Sequence, residues 1–177
     1  MLRFALALAL AALPLASVSA QAADIRNIGC VQENVTPETL RVLRADVEKN
    51  FNDLDNQSYS EGAISGFRAA GQICRGKFGW NDKVVEASIL YALSNLAQPV
   101  ARQRAGPAKL DYGALERRFA ALTRAEQIDA MQEQVLNKLA VGALDAKEMN
   151  ETNAKLAGGI FGLLAVHAKA INDFTVN

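Results

Sequence analysis

From residue 36 onward the apolar side chains recur every three or four positions, segment after segment, and nowhere settle into alternation. A spacing near 3.6 gathers them on one face of a helix, whereas a half-buried strand needs a period of two. A chain patterned in this way buries its apolar surface by packing helix on helix. The expected fold class is therefore all-α, a compact bundle of five to six helices.

Start and stop signals divide the pattern. Thr36-Pro37-Glu38 supplies an N-cap, a proline at the first helical position and an acid in the first turn. The helix that follows carries Leu40, Leu43, Val47, Phe51 and Leu54, and the polar stretch 52–60 reads as a turn. A second helix, about 61–75, has Ile64, Phe67, Ile73 and Cys74 inward. Its glycines, Gly62, Gly66 and Gly71, each cost about 1 kcal/mol relative to alanine, which close approach of a neighbouring helix would justify.

Residues 76–80 read as a turn, and Asn81 caps a third helix. Its apolar positions spread around most of the circumference, which predicts a central, buried helix ended by Pro99. The long connection 98–109 carries Arg102 and Arg104. Asp111 caps a short fourth helix, and Thr123 with Glu126 forms a capping box for a fifth that includes Ile128, Met131, Val135 and Leu139. Asp145 and Glu148 repeat that logic for a sixth, with Met149, Leu156, Ile160, Leu163, His167 and Ile171 at helical spacing.

The N-terminus reads differently. Met1-Leu2-Arg3 is followed by an unbroken apolar run, Phe4 to Leu13, then Pro14 and a series of small residues. This is the order of a secretory signal peptide, with cleavage expected after Ala20 or Ala22. The run is shorter than the roughly 20 residues of a membrane span. The expected organisation is a signal peptide over 1–22, an extended lead over 23–35 and one helical domain over 36–177, with no transmembrane span in the mature chain. The abundance of alanine suggests a bacterial source, and so a periplasmic or secreted destination.

Export bears on the cysteines, Cys30 and Cys74, which are the only two. In an oxidising compartment a disulfide is the expected state. It would close a loop of about 45 residues, an entropic stabilisation of up to about 4 kcal/mol. The chain has 19 basic and 19 acidic side chains, and the leader holds one of the former, Arg3, so the mature domain has 18 against 19 and a net charge of −1. That balance gives no broad electrostatic footprint for nucleic acid or anionic lipid.

Motifs that carry chemistry are sparse. Asp53-x-Asp55-x-Gln57 resembles the start of a calcium loop, but the sixth position is Ser58 where glycine is needed and the twelfth is Ile64 where glutamate is needed. His167 is the only histidine, so no histidine-based zinc site can form, and its place on an apolar stripe suits a core or groove residue with a local hydrogen bond. No phosphate-cradling glycine loop and no serine elbow occurs. No metal, cofactor or catalytic residue is expected. Gly158 and Gly162 form a small-xxx-small step, a candidate self-association face or a site of tight helix packing.

The candidate recognition residues are Lys77 with Trp80, the Arg102/Arg104 loop, and His167, since tryptophan and arginine are enriched where partners bind. The reading favoured at this level is an exported, non-enzymatic protein-binding factor: an inhibitor, immunity factor, chaperone or envelope accessory whose partner is a protein of the cell envelope. Two alternatives stand beside it. One is an envelope hydrolase built on paired carboxylates. The other is a carrier of an apolar small ligand, held in a cavity that the small residues of the last helix leave between helices.

Overall fold

The computed structural model describes residues 23–144 and 150–177. Among the described residues every regular element is helical, with eight α-helices and one 3-10 turn, Ile25–Asn27. The helices are α1 (Cys30–Asn34), α2 (Pro37–Asn52), α3 (Glu61–Phe78), α4 (Asp82–Ala105), α5 (Tyr112–Ala120), α6 (Arg124–Asp129), α7 (Glu133–Ala143) and α8 (Glu151–Val176).

The caps read from the sequence act as side-chain acceptors. Thr36, Asn81 and Asp111 accept from the backbone N–H three residues on, and Thr123 with Glu126 forms the complete capping box. Each satisfies an N–H that the first helical turn leaves unpaired. The start of α8 is capped by Asn150, whose side chain accepts from Asn153 N–H at 2.8 Å. The caps expected from Asp145 and Glu148, and the position of Met149, lie outside the described residues.

Three contacts set the direction of the two longest helices. Asn81 at the start of α4 donates to the Asn177 carbonyl, Ser94 at its middle meets His167, and Asn153 at the start of α8 donates to the Ala108 carbonyl just past the end of α4. Helices α4 and α8 are thus antiparallel. By length and composition α8 could cross a membrane, but in the fold α4, α5, α6 and α7 pack against it. Two cores form along the pair. One gathers α1, α2, α3, the first part of α4 and Phe174; the other gathers the end of α4 with α5, α7 and the body of α8. Phe51 and Leu163 touch both.

The Cys30–Cys74 disulfide is present and joins α1 to α3. It also explains why residues 23–35 are not the extended lead the sequence suggested. With Cys30 fixed, α1 lies across α3 and α4, burying Val31 completely, and Ser88 of α4 donates to the Ile28 carbonyl at 2.8 Å. Tertiary anchoring overrides a segment with no period of its own.

Four further expectations change. Pro99 does not end its helix: α4 continues to Ala105, because Ala97, Val100, Ala101 and Ala105 are buried and their packing outweighs the loss of one backbone donor. The connection 98–109 is therefore mostly helix. Helix α3 likewise runs to Phe78, closing at Gly79 in the left-handed conformation (φ 68°), so the turn expected over 76–80 is only its end. Ile73 faces out (53% exposed), since the bridged Cys74 next to it fixes which face is inward. The fifth helix is two, α6 and α7, split by a turn in which Gln132 N–H donates to the Asp129 carbonyl; buried Ala130 anchors the turn and Met131 is left exposed. Those differences take the helix count above five or six.

Two of the four glycines of α3 are close-approach positions. A Cβ at Gly66 would lie 2.2 Å from Thr39 Oγ1 and one at Gly71 2.8 Å from Val85 Cγ1, whereas Gly62 has ordinary space. Gly66→Ala should destabilise the fold by about 1–3 kcal/mol, because a short β-branched side chain cannot move aside and α2 must shift. Urea denaturation checks this, and adding Thr39→Ala should recover part of the loss.

Candidate functional site

The residues proposed from sequence as a recognition surface do not converge. Trp80 is buried, stacked on Phe78 at 5.0 Å and edge-on to Phe174 at 5.1 Å, with Lys77 Nζ 5.0 Å above the Phe78 ring. Tryptophan here closes one end of the first core. Arg102 lies near the other end of α4, roughly 30 Å away at 1.5 Å per residue. Its guanidinium sits 4.8 Å over the Tyr112 ring and 3.3 Å from Glu116, so it is engaged within the molecule. Arg104, on the same last turn of α4, is half-buried. The two clusters cannot form one contact site.

His167 is half-buried on α8, its ring tilted against Tyr91 at 5.0 Å and its Nδ1 3.0 Å from Ser94 Oγ. Ser94 Oγ also lies 2.9 Å from the Tyr91 carbonyl, so its one proton serves either that oxygen or Nδ1, according to the imidazole tautomer. Ser94 is also 1% exposed. The pair ties α4 to α8.

A cleft borders the small residues of the last helix, where the apolar-carrier reading of the sequence placed a cavity. It has a volume of about 750 Å³ and lies at the seam of the two cores, between the end of α2, the 53–60 turn, α4, α7 and α8. Its walls are mainly aliphatic and aromatic: Phe51 and Leu54 on one side, Leu90 and Leu93 from α4, Leu136 from α7, Leu163 from α8. Ser94 and Ala97 also line it. Ligand sites in proteins are commonly clefts of roughly 300–1,000 Å³ with apolar walls and a few polar groups.

The small residues of α8 shape this space. Gly159 lets the Leu54 side chain approach, since a Cβ there would be 3.0 Å from Leu54 Cδ2. Gly158 and Gly162 face α7, where a Cβ would stand 4.0 Å from Ala140 Cβ and 3.8 Å from Leu136 Cδ1 respectively, and both line the cleft. The small-xxx-small step thus looks into the molecule, toward the cleft. Three large apolar side chains at its edge stay exposed: Tyr59 (45%), Met131 (44%) and Val141 (52%). They make up half of the exposed large hydrophobic side chains among the described residues.

Two buried polar side chains, Asn50 and Ser94, line the cleft, and the other polar residues of the lining are exposed. Lys155 bridges Asp55 at 2.9 Å and Glu151 at 3.3 Å, linking α8 to the 53–60 turn. Both carboxylates raise the Lys155 pKa, hydrogen bonding to Asp55 most strongly. The acids of the sequence's calcium-like stretch are accounted for in this way: Asp55 by Lys155, and Asp53 by two contacts from Asn56 Nδ2. Asn50 is 5% exposed, and its Oδ1 accepts from Ser58 N–H at 2.9 Å. Desolvation raises the pKa of the neighbouring Tyr59 phenol, and hydrogen bonding from the Asn50 side chain opposes that rise.

Among the described residues no Asp or Glu is buried, and no group of three or more His, Cys, Asp or Glu could hold a metal ion. The chain matches no protein-family model, no curated protein and no solved structure. The cleft is therefore judged on its geometry alone.

Burial lowers the His167 pKa below its ordinary value, so the folded protein resists protonation there more than the unfolded chain does. The unfolded state takes up the proton first as pH falls, so the contribution of this residue is complete above about pH 6.5 and is lost below it. The wild type should lose more stability between pH 7.5 and pH 5 than a His167→Gln variant, as read by urea midpoints at the two pH values. Equal losses in the two proteins would remove this assignment.

Proposed function

We propose that this is an exported, non-enzymatic binding protein that carries an apolar small molecule in the cleft between α2, α4, α7 and α8. The observation that carries the reading is the coincidence, at one place, of a cleft of about 750 Å³, aliphatic walls and the exposed side chains of Tyr59, Met131 and Val141. Apolar surface left open to water is costly, at about 25 cal/mol per Å², and an apolar ligand would remove it from solvent. Carriage suits the chemistry better than turnover. The Ser94 hydroxyl is almost inaccessible at 1% exposed, and no buried carboxylate is available among the described residues to act as an acid or a base.

A second reading, the protein-binding factor, draws support from the same exposed trio, which a partner's apolar segment could cover. It would use the cleft mouth and not Trp80 or Arg102. Export is supported by the basic, apolar and small-residue order of positions 1–22 and by the Cys30–Cys74 bond, which suits an oxidising compartment. N-terminal sequencing of the protein recovered from the medium or the periplasm should begin at Gln21 or Ala23, and recovery of an unprocessed chain from the cytosol alone would overturn this part.

The cleft is tested with N-phenyl-1-naphthylamine, a neutral apolar probe whose fluorescence rises on leaving water. The mature protein should bind it saturably. Gly158→Leu should weaken binding at least tenfold by placing a side chain in the open space beside Ala140, while helicity and melting temperature stay level or rise, since leucine is the better helix former by roughly 1 kcal/mol. Unchanged probe affinity in a folded Gly158→Leu protein would exclude the cleft as the site.

A further inference from the structure

We propose that the ligand of this cleft carries an uncharged hydrogen-bond acceptor, an ester, amide or hydroxyl oxygen, which Asn50 receives at one end of an otherwise apolar body. The inference rests on the reading of the cleft as an apolar-ligand site and names the class of ligand.

Its main support is an unpartnered donor. Asn50 lines the cleft and is 5% exposed. Its amide orientation is fixed, because Oδ1 accepts from Ser58 N–H at 2.9 Å and a flipped amide would set two donors against each other. Nδ2 is therefore the group left over: it is buried beside the Tyr59 phenol, with which it interacts, but has no partner in hydrogen-bond geometry. A buried donor without an acceptor costs about 1–3 kcal/mol, and such groups are rare enough to need a reason. Ser58, whose N–H holds Oδ1, belongs to the turn that borders the cleft, so the donor is held in place by the site itself. Tyr59, exposed at the mouth with its phenol beside Asn50, is a second donor at neutral pH.

The rim decides the charge. Among the described residues, Asp55, Glu133 and Glu151 line it with a single base, Lys155, which two of those acids already engage. A ligand carboxylate would meet more negative charge than positive, with no free cation among these residues. A ligand ammonium would be drawn to the rim but would leave the Asn50 donor unanswered. A neutral oxygen acceptor answers the donor and is indifferent to the rim.

The test is displacement of N-phenyl-1-naphthylamine at pH 7.5 by three ten-carbon amphiphiles that differ in their heads: 1-decanoylglycerol, decanoate and decylammonium. The glyceride should displace the probe at a concentration at least tenfold below either charged amphiphile. Asn50→Asp keeps the acceptor for Ser58 N–H and removes the donor, so it should abolish the advantage of the glyceride while the protein still binds the probe. Three equal displacement curves, or decanoate or decylammonium as the strongest competitor of the wild type, would overturn this inference and leave the cleft reading standing. A wild-type protein that fails to bind the probe at all would remove both. The wild-type series decides the matter even if Asn50→Asp does not fold.

Discussion

The antiparallel pairing of α4 and α8 is the contact on which the other elements depend. Many of the buried side chains on the two helices are small: Ala87, Ala92, Ala97, Ala101 and Ala105 on one, Ala157, Ala165 and Ala170 on the other, and Ser94 meets His167 between them. Small residues let two helix backbones come close, and each helix then has other faces left for larger neighbours. The two cores follow from this. Each lies along part of the pair, and neither half of the chain makes a closed interior without it. A cleft at the seam is a natural result, because the side chains of two separately packed layers meet there without a helix of their own to fill the gap.

Much of the local structure was legible in the sequence because it rests on local chemistry. Thr36, Asn81, Asp111 and Thr123 cap helices for reasons that act within three residues. The disulfide was legible because only two cysteines exist. What failed was decided at a distance. Pro99 is a sound stop signal in isolation, yet the burial of Val100, Ala101 and Ala105 carries α4 past it. Nothing between Asp129 and Glu133 is a glycine or proline, so the break between α6 and α7 has no local mark. The short helix α1 exists because Cys30 and Val31 are held against the bundle.

The candidate site shows the same division. Tryptophan and arginine were singled out for their chemistry, but Trp80 packs between Phe78 and Phe174 and Arg102 is held by Tyr112 and Glu116. The glycines of α8 did carry a signal, a run of small residues on an apolar helix, although its meaning depended on what faces them. Asn50 gave none. An asparagine near the end of a predicted helix is unremarkable in sequence, and only the fold shows that it is buried with one end in hydrogen-bond geometry and the other not.

The place of Phe174 has a consequence for how the molecule assembles. This ring, from the last turns of α8, is fully buried in the core built by α1 to α4 and packs edge-on to Trp80. A chain delivered from its N-terminus, whether by a ribosome or through a membrane pore, presents Cys30 and Cys74 to oxidation long before residue 174 arrives. The covalent link can thus form on an open, incomplete half-bundle whose aromatic plug is still missing. Non-local closure of this kind is the slow part of folding. Here it makes the earliest-made core the last to be sealed.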